Sequence, residues 1–551
     1  MFPTLQGTRF EHSLGVMHVA DHILQELCRE EKYGNDLSLC RELYRMAARD
    51  YRRWISIRPP RRSEFVRILR LAALLHDIGH LPFSHTSEAA LARFLHGARP
   101  SLNMPFHEIL GLELIRQTML VRDPAIARGV LLVLISDTDL GRSIGLEGTI
   151  FQFLKEIISG EVDADRGDYL LRDGLNSGTG FGDYDIRRLL GSMRLAKDGA
   201  QLRPLVDVRG LSSVEASLFE RYKLYKYVFW HHKVLIYDEL ANRVVGALVE
   251  ESTFSRYFFR RYAGSIVNHL LELRRRLRQP IGRGGGVGSM PPLILFSGES
   301  ISRPRGYYRL NIAGLVDTPS GYFDDNWLLS LLRGLSRPRL RHRRPHPFDI
   351  ALDALVERLD CSLSLWKDQS EYISTMRELG ELAAQDVRLQ QLVEPFQPSP
   401  ERIARLFRDL RNRSESPEPL WRSFEQDLYI TIEERMSNDA QGVFGIVKKP
   451  GPRYFGNMLK IRLVGRGGAV ESGPRISPVL DRLDRLPNEV PIYAYVIFSP
   501  GALGNLGARV LRLIRTRFLN AVVESLVDLG ARVEYDGMIE TLVVEEEAHG
   551  A

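Results

Sequence analysis

Apolar positions recur at helical intervals near the start of the chain. In residues 10–31, FEHSLGVMHVADHILQELCREE, His12, Val16, Val19 and Ile23 fall on one stripe, which predicts a helix whose buried face begins with a histidine. EFVRILRLAALLHD at 64–77 repeats the pattern, with Val66, Leu69, Ala73 and His76 on one face, so His76 also points inward. Further helical runs cover 105–136, 150–175 and 211–279, the last stopped by Pro280, which cannot continue a helix. IGRGGGVGSMPP at 281–292 reads as a flexible loop, and without a Gly-Lys-Ser/Thr sequel it does not read as a phosphate cradle. Helical periodicity returns over 348–440, where Leu352, Leu355 and Leu359 share a face. After KKPGPRY at 448–454 the period changes: VPIYAYVIFSP and ARVEYDGMIETLVVEEE read as strands around a helix-like segment at 507–530. No repeat is visible. The pattern predicts a mainly α protein, with a helical core over 1–279, a Gly/Pro/Arg-rich loop region over 280–347, a helical accessory region over 348–447 and a small α+β lobe over 448–551.

Composition narrows the class. A chain of 551 residues exceeds one typical domain, and 44% apolar with 26% charged residues is an ordinary globular balance. No stretch approaches the ~18 uncharged apolar residues of a membrane span, and MFPTLQGTRFEHS lacks the apolar core of a secretory signal, so no membrane contact and a cytoplasmic address are expected. Cys28, Cys40 and Cys361 are too scattered for a disulfide framework or a thiolate metal site. The net charge of +6 is carried by arginine, since only ten of the 75 basic residues are lysine. That balance is compatible with a polyphosphate or nucleic-acid partner. The densest basic run, RGLSRPRLRHRRPHP at 333–347, reads either as a solvated interdomain loop or as a phosphate-binding patch.

The histidines change the picture more than the charge does. Eight of the fourteen lie within the first 107 residues, and His12 and His76 occupy inward positions of separate helices, with Asp77 directly following. A buried imidazole needs a partner on each ring nitrogen and a buried carboxylate needs a cation; one metal ion would satisfy all three groups. EVDADRGDYLLRDG at 161–174 supplies a fourth candidate, because helical spacing stacks Asp165, Tyr169 and Asp173 on one face with Arg166 beside them. Two imidazoles and two carboxylates suit Mg²⁺, Mn²⁺, Fe²⁺, Co²⁺, Ni²⁺ or Zn²⁺, and the residues do not choose among these. His18, His22 and His96 read as surface or packing residues, and Arg172 as a salt-bridge partner.

RFEHSLGV, LLHDIGHLPFSH and DADRGDYLLRD, in that order and in helical context, resemble the HD-domain phosphohydrolases over residues 3–240, most closely the deoxynucleoside triphosphate triphosphohydrolase branch. The resemblance implies an HD-type helical core and a divalent metal held by His12, His76, Asp77 and Asp165. It implies His80, the pair His85 and Glu88, and His107 as candidates for proton transfer, without deciding which carries the proton. It further implies substrate contacts at Arg9, Arg166, Tyr169 and Asp173, and at His231 and Lys233 in KLYKYVFWHHKV, a segment that otherwise reads as an aromatic core helix. The implied reaction is hydrolysis of a deoxynucleoside triphosphate to nucleoside and tripolyphosphate, in a homo-oligomer with a possible nucleotide activator. Two alternatives stay open: an HD-type nuclease or phosphodiesterase acting on single-stranded nucleic acid or a nucleotide second messenger, and a non-catalytic nucleotide sensor or nucleic-acid-binding scaffold. Members of that branch usually carry a further helix with a Gln-Arg-Leu element ahead of the first histidine motif, whereas here Met1 stands eleven residues before His12.

Overall fold

The structure is a computed structural model that describes residues 7–29, 37–55, 61–95, 105–119 and 123–250, and shorter segments between 300 and 497. Helix α1 (Arg9–Leu27) starts at a capping box: the Thr8 hydroxyl accepts from the Glu11 amide at 3.1 Å and the Glu11 carboxylate accepts from the Thr8 amide at 2.8 Å. Its inner face buries Val16, Val19, Ala20, Ile23 and Leu27. Helix α3 (Arg62–Leu75) lies against it and buries Ile68, Leu69, Ala72 and Ala73. Between them comes α2 (Leu37–Trp54), in a segment whose arginines hide a stripe of Leu43, Ala47, Tyr51 and Trp54, all buried. Asp50 of α2 is buried too, and accepts from the Ile150 amide at 2.9 Å, closing the start of α8 (Ile150–Ser159).

Five more helices belong to this region: α4 (Ser84–Leu95), α5 (Phe106–Met119), α6 (Pro124–Ile135), the short α7 (Asp139–Ile144) and α9 (Ala164–Ser177). Helix α6 is buried on every side from Gly129 to Ile135 and contacts α3, α5 and α8, so it acts as the central post. The turn between α3 and α4 carries HDIGH, and Gly79 in it lies so close to α5 that a Cβ would meet the His107 carbonyl oxygen at 2.0 Å and the Gly111 amide nitrogen at 2.3 Å. Only glycine permits that approach. Phe83 and Ser84, just beyond it, hold positive φ angles of 58° and 50°, and the Phe83 amide donates to Asp325 at 2.7 Å.

The helical run is interrupted by an antiparallel hairpin, β1 (Met193–Asp198) and β2 (Gln201–Asp207), turning at Gly199 with φ +60°. The periodicity alone did not predict it, because MRLAKDGAQLRPLVD alternates only weakly. The strand Arg462–Val464 joins β2 in parallel and Val470–Ser472 completes a four-stranded sheet. Arg462 ties that addition to the core, its Nε and its amide each donating to Glu161 at 2.8 Å.

The chain divides into two compact units: Met1–His231 with Val245–Leu331 and Pro452–Pro487, and His232–Val244 with Leu332–Gly451 and Asn488–Ala551. The second contains the helix Pro347–Glu357 and a three-stranded antiparallel sheet with Tyr493–Ile497 at its centre, flanked by Ser362–Ser364 and Phe444–Lys448. Within 280–347 the structure describes the pair of short strands Ser300–Ser302 and Arg309–Asn311 and the helix Asp325–Ser336. The fold is therefore mainly helical with small sheets. His96, Cys361, the glycine-rich stretch 281–292, the basic residues 337–346 and the second C-terminal strand-like run lie outside the described residues. Among the described residues no helix is long and apolar enough to cross a membrane, and Cys28 and Cys40 form no disulfide.

Candidate metal centre and its cavity

Three elements of the first unit meet at one end of α1. His12 sits in the first turn of α1, His76 caps the C-terminal end of α3, and Asp165 lies in the first turn of α9. One donor atom from each lies within 4.8 Å of the others. His76 Nδ1 is 2.8 Å from the Ala73 carbonyl oxygen, which can only accept, so Nδ1 carries the hydrogen and Nε2 presents its lone pair. That Nε2 is buried with no hydrogen-bond partner, 3.4 Å from Asp77 Oδ1 and 3.9 Å from Asp165 Oδ1. His12 Nδ1 likewise donates, to Asp168 Oδ2 at 2.8 Å, and its Nε2 faces Asp165 Oδ1 at 3.2 Å. Lone pairs and carboxylates facing one another across a buried space repel unless a cation lies between them, so the donor set fits a divalent ion.

The titration of these groups tells the same story. Burial opposes the charged form of His12, but hydrogen bonds with Asp165 and Asp168 outweigh it and lift its pKa to about 9; a proton thus occupies the position a metal ion would compete for. Burial would raise Asp77, yet His76, His80, Arg9 and His12 hold it at about 2. Arg9 Nη1 donates to Asp77 Oδ2 at 2.8 Å, while its Nη2 reaches Ser84.

A second cluster comprises His80, His85, Glu88 and His107. The His80 and His107 rings stack with centroids 3.9 Å apart and planes 11° from parallel. His107 Nδ1 donates to Glu88 Oε2 at 2.8 Å, and the His107 amide to Oε1 at 3.3 Å. His85, whose side chain is 77% exposed, has its Nδ1 3.5 Å from Glu88 Oε2. Burial would raise Glu88, but hydrogen bonds with His107 and His85 hold it well below the usual carboxylate range. His80 is driven down to about 3, first by burial and then by Arg9, His107 and His85, against the pull of Asp77, and its Nδ1 is buried without a partner.

Both clusters open into one cavity of about 550 Å³, whose walls include Arg9, Lys155, Arg166, Tyr169, Arg172, Asp173, Arg221, Tyr225 and Phe229. Arg166 is turned towards Asp163, the N-cap of α9. The Tyr169 hydroxyl is buried without a hydrogen-bond partner. Burial, then Asp168, raises the Asp173 carboxyl to about 6 against the lowering effect of His12 and Arg172. Of the residues singled out in the sequence, His231 does not line the cavity and Lys233 belongs to the other unit, while Glu88 supports His107 from behind the lining. The sequence reading missed Asp168, Arg221, Tyr225, Phe229, Glu108 and Lys155, which the fold brings to the site. Only Asp168 carried a usable signal, lying three residues after Asp165 and four before Arg172.

Comparison with known proteins finds a family match in the first part of the chain. Residues 9–151 match the HD-domain family model, a range that includes His12, His76, Asp77 and His80. The chain is 30% identical over 254 residues to the uncharacterized protein MJ1154 of Methanocaldococcus jannaschii, covering 46% of this chain and 42% of that one. It is 28% identical over 221 residues to the deoxynucleoside triphosphate triphosphohydrolase SAMHD1 of Gallus gallus, covering 36% of this chain and 31% of that one. The match thus spans less than half the length of each of these relatives. The solved structure of a phosphohydrolase from Bacteroides thetaiotaomicron aligns with a TM-score of 0.48 at 15% identity, over 91% of this chain and 89% of that one. Residues 9–151 thus carry an HD domain.

Proposed function

We propose that this HD-domain chain is a metal-dependent phosphohydrolase that converts deoxynucleoside triphosphates to nucleoside and tripolyphosphate. The observation that carries the reading is the convergence of His12, His76 and Asp165, with both Nδ1–H groups anchored and both Nε2 atoms turned towards carboxylates. His12, His76, Asp77 and Asp165 are the residues that would hold the ion. When bound, a divalent ion polarises a phosphoryl oxygen and acidifies water.

The remaining work falls to this chain's own side chains. Arg9, Arg166, Arg221 and Lys155 line the cavity and offset the charge of a polyphosphate. Tyr169, Tyr225 and Phe229 offer faces for a sugar or base, and the unpartnered Tyr169 hydroxyl suits a sugar oxygen. His107, held by Glu88 through Nδ1, leaves Nε2 free to carry a proton and, as the imidazolium, to hand it to the departing 5′ oxygen, the arrangement of a general acid oriented by a carboxylate. His80, with its pKa near 3, stays neutral at ordinary pH and is the poorer donor. The similarity to a triphosphohydrolase over 36% of the chain supports this substrate class.

Incubating the metal-loaded full chain with each dNTP, each rNTP and labelled single-stranded DNA or RNA, then separating products chromatographically, tests the reading. Nucleoside plus tripolyphosphate from dNTPs is expected. Shortened oligonucleotides with intact dNTPs would replace it with a nuclease, and no turnover of any substrate would overturn the enzymatic reading.

A further inference from the structure

We propose that Asp168 is the positioning residue of the metal centre, holding His12 with hydrogen on Nδ1 and Nε2 aimed at Asp165, with Arg172 and Gly15 fixing the Asp168 carboxylate in turn. The inference rests on reading His12, His76, Asp77 and Asp165 as the metal ligands. The two imidazoles are secured differently. His76 leans on the Ala73 carbonyl, one turn back in its own helix, so its orientation comes with the fold of α3. His12 has no such backbone acceptor, and its Nδ1–H goes to a side chain from α9, 156 residues away. Without that acceptor the ring is free to rotate and present the wrong nitrogen.

Asp168 is itself held from both sides. Arg172, one turn further along α9, grips it with two parallel bonds, Nε to Oδ2 at 2.9 Å and Nη2 to Oδ1 at 2.7 Å. On α1, three residues after His12, Gly15 leaves the room: a Cβ there would meet Asp168 Oδ1 at 1.7 Å and Arg172 Nη2 at 2.6 Å. The carboxylate is buried, and a buried carboxylate is retained where it has donors to accept from. Here those donors are the guanidinium of Arg172 and the ring of His12, so the chain Arg172, Asp168, His12 runs from the cavity wall to the ion. Asp165 and Asp168, one turn apart on α9, thus divide the work: one faces the ion and the other orients its neighbour.

The test titrates Co²⁺ into chelator-stripped full-length protein, reading the visible ligand-field absorption and the dissociation constant by competition with a chromophoric chelator. Asp168→Asn, nearly isosteric but unable to accept as a carboxylate, is expected to bind Co²⁺ about 10- to 100-fold more weakly, with an altered ligand-field band. Gly15→Ala is expected to do the same by displacing the carboxylate, and Arg172→Gln to weaken binding less. Metal-free thermal midpoints measured alongside separate positioning from stability: a lower midpoint with unchanged Co²⁺ affinity overturns the proposal. If Asp168→Asn fails to fold, Arg172→Gln, which leaves Asp168 in place, decides, and wild-type affinity in it overturns the proposal. A wild-type chain that binds no Co²⁺ would instead bring down the metal-site reading, and the positioning role with it.

Discussion

Two histidine clusters share one cavity and use the same residue in opposite ways. In the cluster of His12, His76 and Asp165, each imidazole spends its Nδ1–H on an acceptor outside the site and turns Nε2 inward, where carboxylates wait. In the cluster of His80, His85, Glu88 and His107, two rings stack at 3.9 Å and a single carboxylate serves two imidazoles. The first arrangement concentrates lone pairs and negative charge on one point, which is what a cation requires. The second gathers imidazoles around one well-ionised carboxylate, an arrangement suited to relaying a proton. Wiring of the ring nitrogens, more than histidine content, separates the two roles.

The comparison breaks most visibly at Asp77. Replacing it with alanine is expected to abolish metal retention, read by elemental analysis, together with turnover; an active variant would remove Asp77 from the mechanism. Stripping the wild-type chain with a chelator should give the same loss, restored by added divalent ion. At the second cluster, His107→Ala is expected to lower kcat by about 10²- to 10⁴-fold while bound metal stays at the wild-type level. Loss of the ion in that variant would collapse the distinction between the clusters. Glu88→Gln should act in the same direction but less, since it disturbs the orientation of His107 without removing the ring.

Much of this was legible in the chain itself, for identifiable reasons. His12 could be read because it heads an apolar stripe, and burial of that stripe leaves the imidazole no choice of direction. The Asp165, Tyr169 and Asp173 face followed from helical spacing in the same way, and all three line the cavity. Helix α2 was obscured because its five arginines dominate its composition, leaving only Leu43, Ala47, Tyr51 and Trp54 on the opposite face to report its period. The hairpin at 193–207 depends on a parallel partner from 462–464, information that no local window contains. Asp168 illustrates a deeper limit. Its spacing from Arg172 predicts an ordinary helical ion pair, and only the approach of α1 at Gly15 turns that pair towards His12.

The smallest expected effect concerns Asp173, on the wall of the cavity that the two clusters share. Burial raises its pKa to about 6, so the carboxyl is neutral below that pH and ionises as pH rises through it. A new negative charge facing a polyphosphate weakens binding, so KM should increase with pH across this range, by about fivefold if the repulsion is the ~1 kcal/mol of unit charges at ~4 Å in water. The terminal phosphate of the substrate also titrates near about 6, which would produce a step of its own. Asp173→Asn separates the contributions, since it keeps the shape of the neutral acid and cannot ionise. The variant should match wild-type KM at pH 5 and show a flatter rise above it. An unchanged step in Asp173→Asn would assign the whole pH dependence to the phosphate and leave Asp173 neutral in the bound state.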